Sequence, residues 1–183
     1  MYTNFPGTTI EAGTSQQSRP DSAAEVLNNI FAAGGLVLSQ VSSLTGLEYY
    51  IIQNWVKRGF LSPPVKKQYS KRQFCRIAII NILKETMQID KAVKLLSYIN
   101  GVLSDESDDL VDDSELYNYY VNMVFSDGGN IPPEESIKTV LKDYKEPIPG
   151  AAKRLSKVLL VMHYAGQASK NVKKCNELLY ELD

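Results

Sequence analysis

Histidine and cysteine are almost missing from this sequence: 183 residues include one His, His163, and two Cys, Cys75 and Cys175. A lone His with no Asp, Glu or Cys at i±3 or i±4 supplies neither an oriented general base nor a metal-ligand set. Most hydrolytic chemistry is thereby disfavoured, no metal or other cofactor is implied, and His163 reads as structural in a protein that is not an enzyme. Two cysteines in 183 residues are too few for a disulfide scaffold, and neither has a second Cys or a His at metal-ligand spacing. Each sits in a helix-like apolar pattern, so both are expected as small buried hydrophobes. Long apolar runs are missing too, since no stretch approaches the ~18 residues of a membrane span. There is also no basic region followed by an apolar leader. A cytoplasmic protein without membrane contact is expected.

What is present is an uneven distribution of charge. The formal net charge is −1, but residues 1–38 carry −2, residues 39–96 carry +7, residues 97–146 carry −9 and the remainder carries +3. Clustered Lys and Arg point to a polyanionic partner, because binding phosphates releases their counterions. The competing account is that the acidic block packs over the basic one and neutralises it, or masks it until an effector intervenes. Within the acidic block, Asp108 and Asp112 lack the Gly and terminal Glu of a calcium loop. A solvated helix N-terminus explains these carboxylates better.

Apolar periodicity divides the chain further. Residues 1–20, rich in Thr, Ser, Gly, Gln and Pro, are expected as a flexible tail. Residues 21–35 are expected as an N-terminal helix opened by a Ser22/Glu25 capping box and stopped by Gly34-Gly35. Residues 36–103 form the basic module: a short helix from Ser39 to Leu44, a Thr45-Gly46-Leu47 turn, and a second helix from about Glu48 to Arg58. A basic extended stretch, Val65 to Tyr69, follows. Then come a helix opened by a Ser70/Gln73 capping box and another from about Asp90 to Leu103. No strand is expected outside the Val65 to Tyr69 wing. Residues 104–183 are expected as an acidic, helical C-terminal domain. In it Tyr117, Tyr119 and Tyr120 belong to the core with hydroxyls reaching the surface. Its last helix carries an apolar stripe (Leu155, Leu159, Met162, Ala165, Ala168, Val172, Cys175, Leu179, Leu182) that can bury itself in its own domain or meet a partner chain.

The order helix, turn, helix, basic wing, helix is that of a winged helix-turn-helix, in which the second helix presents polar side chains to the major groove while its other face packs inward. Ile52 and Trp55 are spaced to pack. Tyr49, Tyr50, Gln53, Asn54 and Lys57 then point outward, and Gln and Asn match the paired donor and acceptor of adenine. Arg58, Lys66, Lys67, Lys71 and Arg72 are placed for phosphates, and Tyr69 anchors the wing.

The opening Leu38-Ser39-Gln40-Val41-Ser42-Ser43-Leu44-Thr45-Gly46-Leu47 carries a resemblance, as do the Trp55 helix closed by Lys57-Arg58-Gly59-Phe60-Leu61-Ser62-Pro63-Pro64 and the Tyr69-Ser70 entry to the next helix. Together they resemble the DNA-binding domain of MerR-like regulators over about a third of the chain. More closely, Gln53-Asn54-Trp55-Val56-Lys57-Arg58-Gly59 to Tyr69, with Ile79-Ile80-Asn81-Ile82-Leu83-Lys84, resembles an uncharacterised bacterial family known only as a domain of unknown function. The chain departs from MerR-like regulators at Gln53-Asn54, where they carry Arg-Tyr, and at Val56, where they carry an acid. It also lacks the metal-sensing cysteine pattern that some of those regulators carry.

The expectation is an all-α protein: a MerR-like winged helix-turn-helix with a small β wing, then a C-terminal helical domain. Its expected function is sequence-specific binding of double-stranded DNA in transcriptional regulation. The C-terminal domain would serve homodimerisation or the input of a small-molecule or protein effector. The alternative is a non-catalytic protein-interaction module that keeps this fold without binding DNA.

Overall fold

The structure, a computed structural model, describes residues 4–12, 23–101, 103, 105–125 and 131–182. The described residues form eight α-helices and one small sheet: α1 (Ala23–Ile30), β1 (Leu36–Val37), α2 (Leu38–Thr45), α3 (Tyr49–Lys57), β2 (Gln68–Tyr69), α4 (Lys71–Leu83), α5 (Ile89–Asn100), α6 (Asp113–Phe125), α7 (Pro133–Val140) and α8 (Ala151–Tyr180). No described helix is long and apolar enough to cross a membrane.

α4 is the centre. Ser70 caps it by accepting from the Gln73 N–H (3.2 Å) while the Gln73 side chain accepts from the Ser70 N–H (2.8 Å), the capping box expected there. From Gln73 to Ile80 every residue of α4 is buried, so the helix is apolar nearly all round and needs cover on every side. That cover comes from both ends of the chain: α6 and α8 pack along α4, as do α2 and α5. One contiguous core therefore includes Leu36, Ile52 and Trp55 of the basic module together with Tyr117, Leu155 and Leu159. The charge partition suggests two domains, yet the apolar surface of α4 joins them.

The structure revises several expectations. Residues 4–12, read as tail from their polar composition, are packed, with Phe5 5% exposed and Ala12 3%. The Thr9 N–H donates to the Leu44 carbonyl (2.9 Å), and the Asn81 amide donates to the carbonyls of Gly7 (2.9 Å) and Thr45 (3.0 Å). Gly7, at φ 72°, lies so close to α4 that a Cβ there would stand 2.2 Å from the Ala78 carbonyl oxygen. The Ser22 cap lies outside the described residues.

A strand unforeseen from sequence, β1, pairs antiparallel with β2 in the register Leu36↔Tyr69 and Val37↔Gln68. Two residues are too few to show alternation. The Tyr117 hydroxyl does not reach solvent; it donates to the Pro6 carbonyl (2.7 Å) in a residue that is 1% exposed. Cys75 is buried as expected, but Cys175 is exposed, because the helical stripe it belongs to leaves the core after Ala165.

Candidate nucleic-acid interface

α2 and α3 meet through a tight turn. Gly46 adopts φ 68° and its N–H donates to the Ser42 carbonyl (2.8 Å), while the Ser42 hydroxyl donates to the Leu47 carbonyl (2.6 Å). In α3, Ile52 and Trp55 are buried and Val56 is half-buried, which turns Tyr49, Tyr50, Gln53, Asn54 and Lys57 to solvent.

The wing beside α3 is a two-residue hairpin loop. The Val65 N–H donates to the Gln68 carbonyl (3.0 Å) and the Gln68 N–H to the Val65 carbonyl (2.9 Å). Between them Lys66 (φ 50°) and Lys67 (φ 63°) both take positive φ, the pattern of a type I′ turn. Gln68 and Tyr69 continue into the pairing with β1, so the lysine tip is braced against the strand that leads into α2.

α3 and the wing enclose a groove of about 620 Å³ lined by Val37, Gln53, Val56, Lys57, Pro64 and Lys67 among others. The structure thus brings Gln53, Lys57 and Lys67 together around one concavity. Its apolar walls, Val37 and Pro64, were not singled out from sequence, since neither residue type signals a site. Val56, half-buried in α3, shares an edge with the groove.

Three of the other basic candidates, Arg58, Lys71 and Arg72, are engaged elsewhere. Arg58 pairs with Asp90 (3.2 Å) and stacks over the Phe60 ring, 4.3 Å from its centroid. Lys71 donates to the Asn28 side-chain carbonyl (3.0 Å). Arg72 pairs with Asp109, and lies 3.6 Å from Asp112 and 3.9 Å from Asp113. Tyr69 is 3% exposed, and burial raises its phenol pKa. Among the described residues, ion pairs are found for none of Lys57, Lys66 and Lys67.

Among the described residues, no ion pair joins the acidic block to α3, whose outward side chains are exposed. At the start of α6 Asp108 is exposed and Asp112 partly so, as expected, but Asp113 is buried and accepts from the Arg76 guanidinium (3.1 Å) and the Asn100 amide (3.0 Å). Arg76 also donates from Nε to the Phe60 carbonyl (3.0 Å), so one buried guanidinium ties the exit of α3 to α6. Burial raises the Asp113 carboxyl pKa and Arg76 pulls it back down. Burial likewise raises that of Asp109, against Arg72.

These features define a predominantly helical protein with a small two-stranded sheet and an exposed polar helix beside a lysine-tipped turn. The family described as a domain of unknown function, DUF1836, matches residues 24–120, more than half of the chain, and the chain belongs to that family. No match was found among curated proteins or among solved structures.

Proposed function

We propose that this chain is a sequence-specific double-stranded DNA-binding transcriptional regulator, working in the cytoplasm, whose α2, α3 and wing act as a MerR-like winged helix-turn-helix. The observation that carries the reading is the grouping of Gln53 and Lys57 of α3 with Lys67 of the wing around one groove, while the acids 109–113 are held by Arg72 and Arg76. In this reading α3 enters the major groove with Gln53 and Asn54 at base edges, and Lys57, Lys66 and Lys67 take phosphates. The C-terminal helices serve two-fold assembly or effector input.

The test is selection from a randomised duplex pool, run beside a Gln53→Ala, Asn54→Ala, Lys57→Ala variant. All three side chains are exposed, so the variant keeps the wild-type melting temperature. An enriched motif that the variant fails to select is expected, with affinity falling by roughly 0.9 log unit per log unit of salt for each phosphate contact. No enrichment at low salt would refute the reading.

A second reading, a protein-docking module without DNA binding, is favoured by one observation: Val37, Val56 and Pro64 give the groove apolar walls. In that case the same variant leaves duplex binding absent in both proteins and abolishes capture of a protein partner.

A further inference from the structure

α8 changes character halfway along. Up to Ala165 one apolar face, with Leu155, Val158, Leu159 and Met162, is buried in the core, while Val161 and Tyr164 are exposed. Beyond Gly166 no residue of α8 is buried, yet the apolar pattern continues. Ala165, Ala168, Val172, Cys175, Leu179 and Leu182 follow one another at spacings of three and four, a heptad seam with Val172 and Leu179 at one core position and Cys175 and Leu182 at the other. Val172 is 54% exposed, Leu179 60% and Leu182, just past the helix end, 81%.

The opposite face of the same segment turns toward the molecule. Ser169, Lys170, Lys173, Lys174 and Glu177 line a cleft of about 630 Å³ against the N-terminal loop and the end of α4. An amphipathic surface helix ordinarily buries its apolar side and solvates its charged side. Here the charged side faces inward and the apolar seam faces out.

We propose that this seam pairs with the same seam of a second copy of the chain, as a short two-stranded coiled coil. Charge selects this occupant. The positions flanking the seam, which meet the partner helix in a coiled coil, hold Tyr164, Ser169, Asn171, Asn176 and Leu178, none of them charged. Every charge from Ala165 to Leu182 lies outside the contact, and the one flanking charge, Asp183, follows the last seam residue, so identical seams bring no like charges together. A membrane surface would need lysines flanking the seam to reach headgroups, and Lys170, Lys173 and Lys174 are on the far side. A partner with charged flanks would find nothing to answer them.

The inference stands on α8 alone and does not depend on DNA binding. The full chain, followed by sedimentation from low to high micromolar concentration, is expected to pass from monomer to dimer. The exposed Cys175 thiol should lose reactivity toward a thiol reagent over the same range, with buried Cys75 silent throughout. Val172→Glu with Leu179→Glu is expected to raise the dimer dissociation constant at least ~100-fold, about 2.7 kcal/mol. The monomer's melting temperature should not change, because both side chains are exposed in the single chain. Lys173→Glu, on the opposite face, should leave the dimer intact. A wild-type chain that stays monomeric throughout would overturn the proposal, as would a double variant that dimerises like wild type or a Lys173→Glu variant that loses the dimer equally.

Discussion

Lys66 and Lys67 occupy a backbone region that costs an L-residue with a full side chain about 1 kcal/mol or more each, and that Asn-Gly adopts readily. Lys66→Asn with Lys67→Gly should therefore stabilise the fold by about 1 kcal/mol, read as a higher urea midpoint at unchanged slope. In the DNA reading the same pair of substitutions weakens duplex binding and flattens its salt dependence, so stability and affinity move in opposite directions. Asp113 makes the contrasting case. Asp113→Ala leaves the buried Arg76 guanidinium without its carboxylate, a loss of about 3–5 kcal/mol in unfolding free energy. His163, the one imidazole in the chain, is a clean reporter. Burial and the nearby Lys170 lower its pKa below the ordinary 6.5, partly offset by Glu134. The unfolded chain thus binds more protons between the lowered value and 6.5, so this contribution is present above pH 6.5 and is lost as pH falls through that window. The titration of the single imidazole resonance should show a midpoint below 6.5, and His163→Gln should remove this part of the acid sensitivity.

At the scale of elements, local patterns carried much of the description. The Ser70/Gln73 capping box, the Gly46 turn and the inward Ile52 and Trp55 of α3 all follow from spacings within one or two turns, which backbone geometry alone enforces. What escaped was pairing at a distance. β1 exists because Leu36 and Val37 lie beside Tyr69 and Gln68, some thirty residues on, and two residues carry no period to announce it. The N-terminal loop likewise takes its conformation from α2, α4 and α6. Phe5 is buried edge-to-face against Phe125, 5.8 Å between centroids, so Phe5→Ala should cost about 3 kcal/mol in chemical denaturation, far more than a flexible tail would allow.

For the whole molecule, the consequence of an all-round apolar α4 is mutual dependence. Removing residues 104–183 would strip α6 and α8 from α4 and expose Ile77 and Ile80 with their neighbours. Such a truncation should show no cooperative thermal transition, checked by circular dichroism, and cannot serve to ask whether the acidic block masks α3. The charge partition between residues 39–96 and 97–146 was legible, but its resolution was not. Arg72 and Arg76 meet Asp109 and Asp113 across 37 residues of chain, while Lys57, Lys66 and Lys67 keep clear of them.

Composition and periodicity by themselves determined that the chain is helical, that it carries a polar-faced helix between a turn and a basic wing, and where most helices start, because these depend on neighbours one to four residues apart. Only the tertiary structure decided which basic residues remain unpaired, that residues 4–12 belong to the core, and that the seam of α8 stays buried to Ala165 and faces solvent beyond it. Those outcomes depend on which surfaces meet across long stretches of chain, and α4, apolar on nearly every side, sets that arrangement.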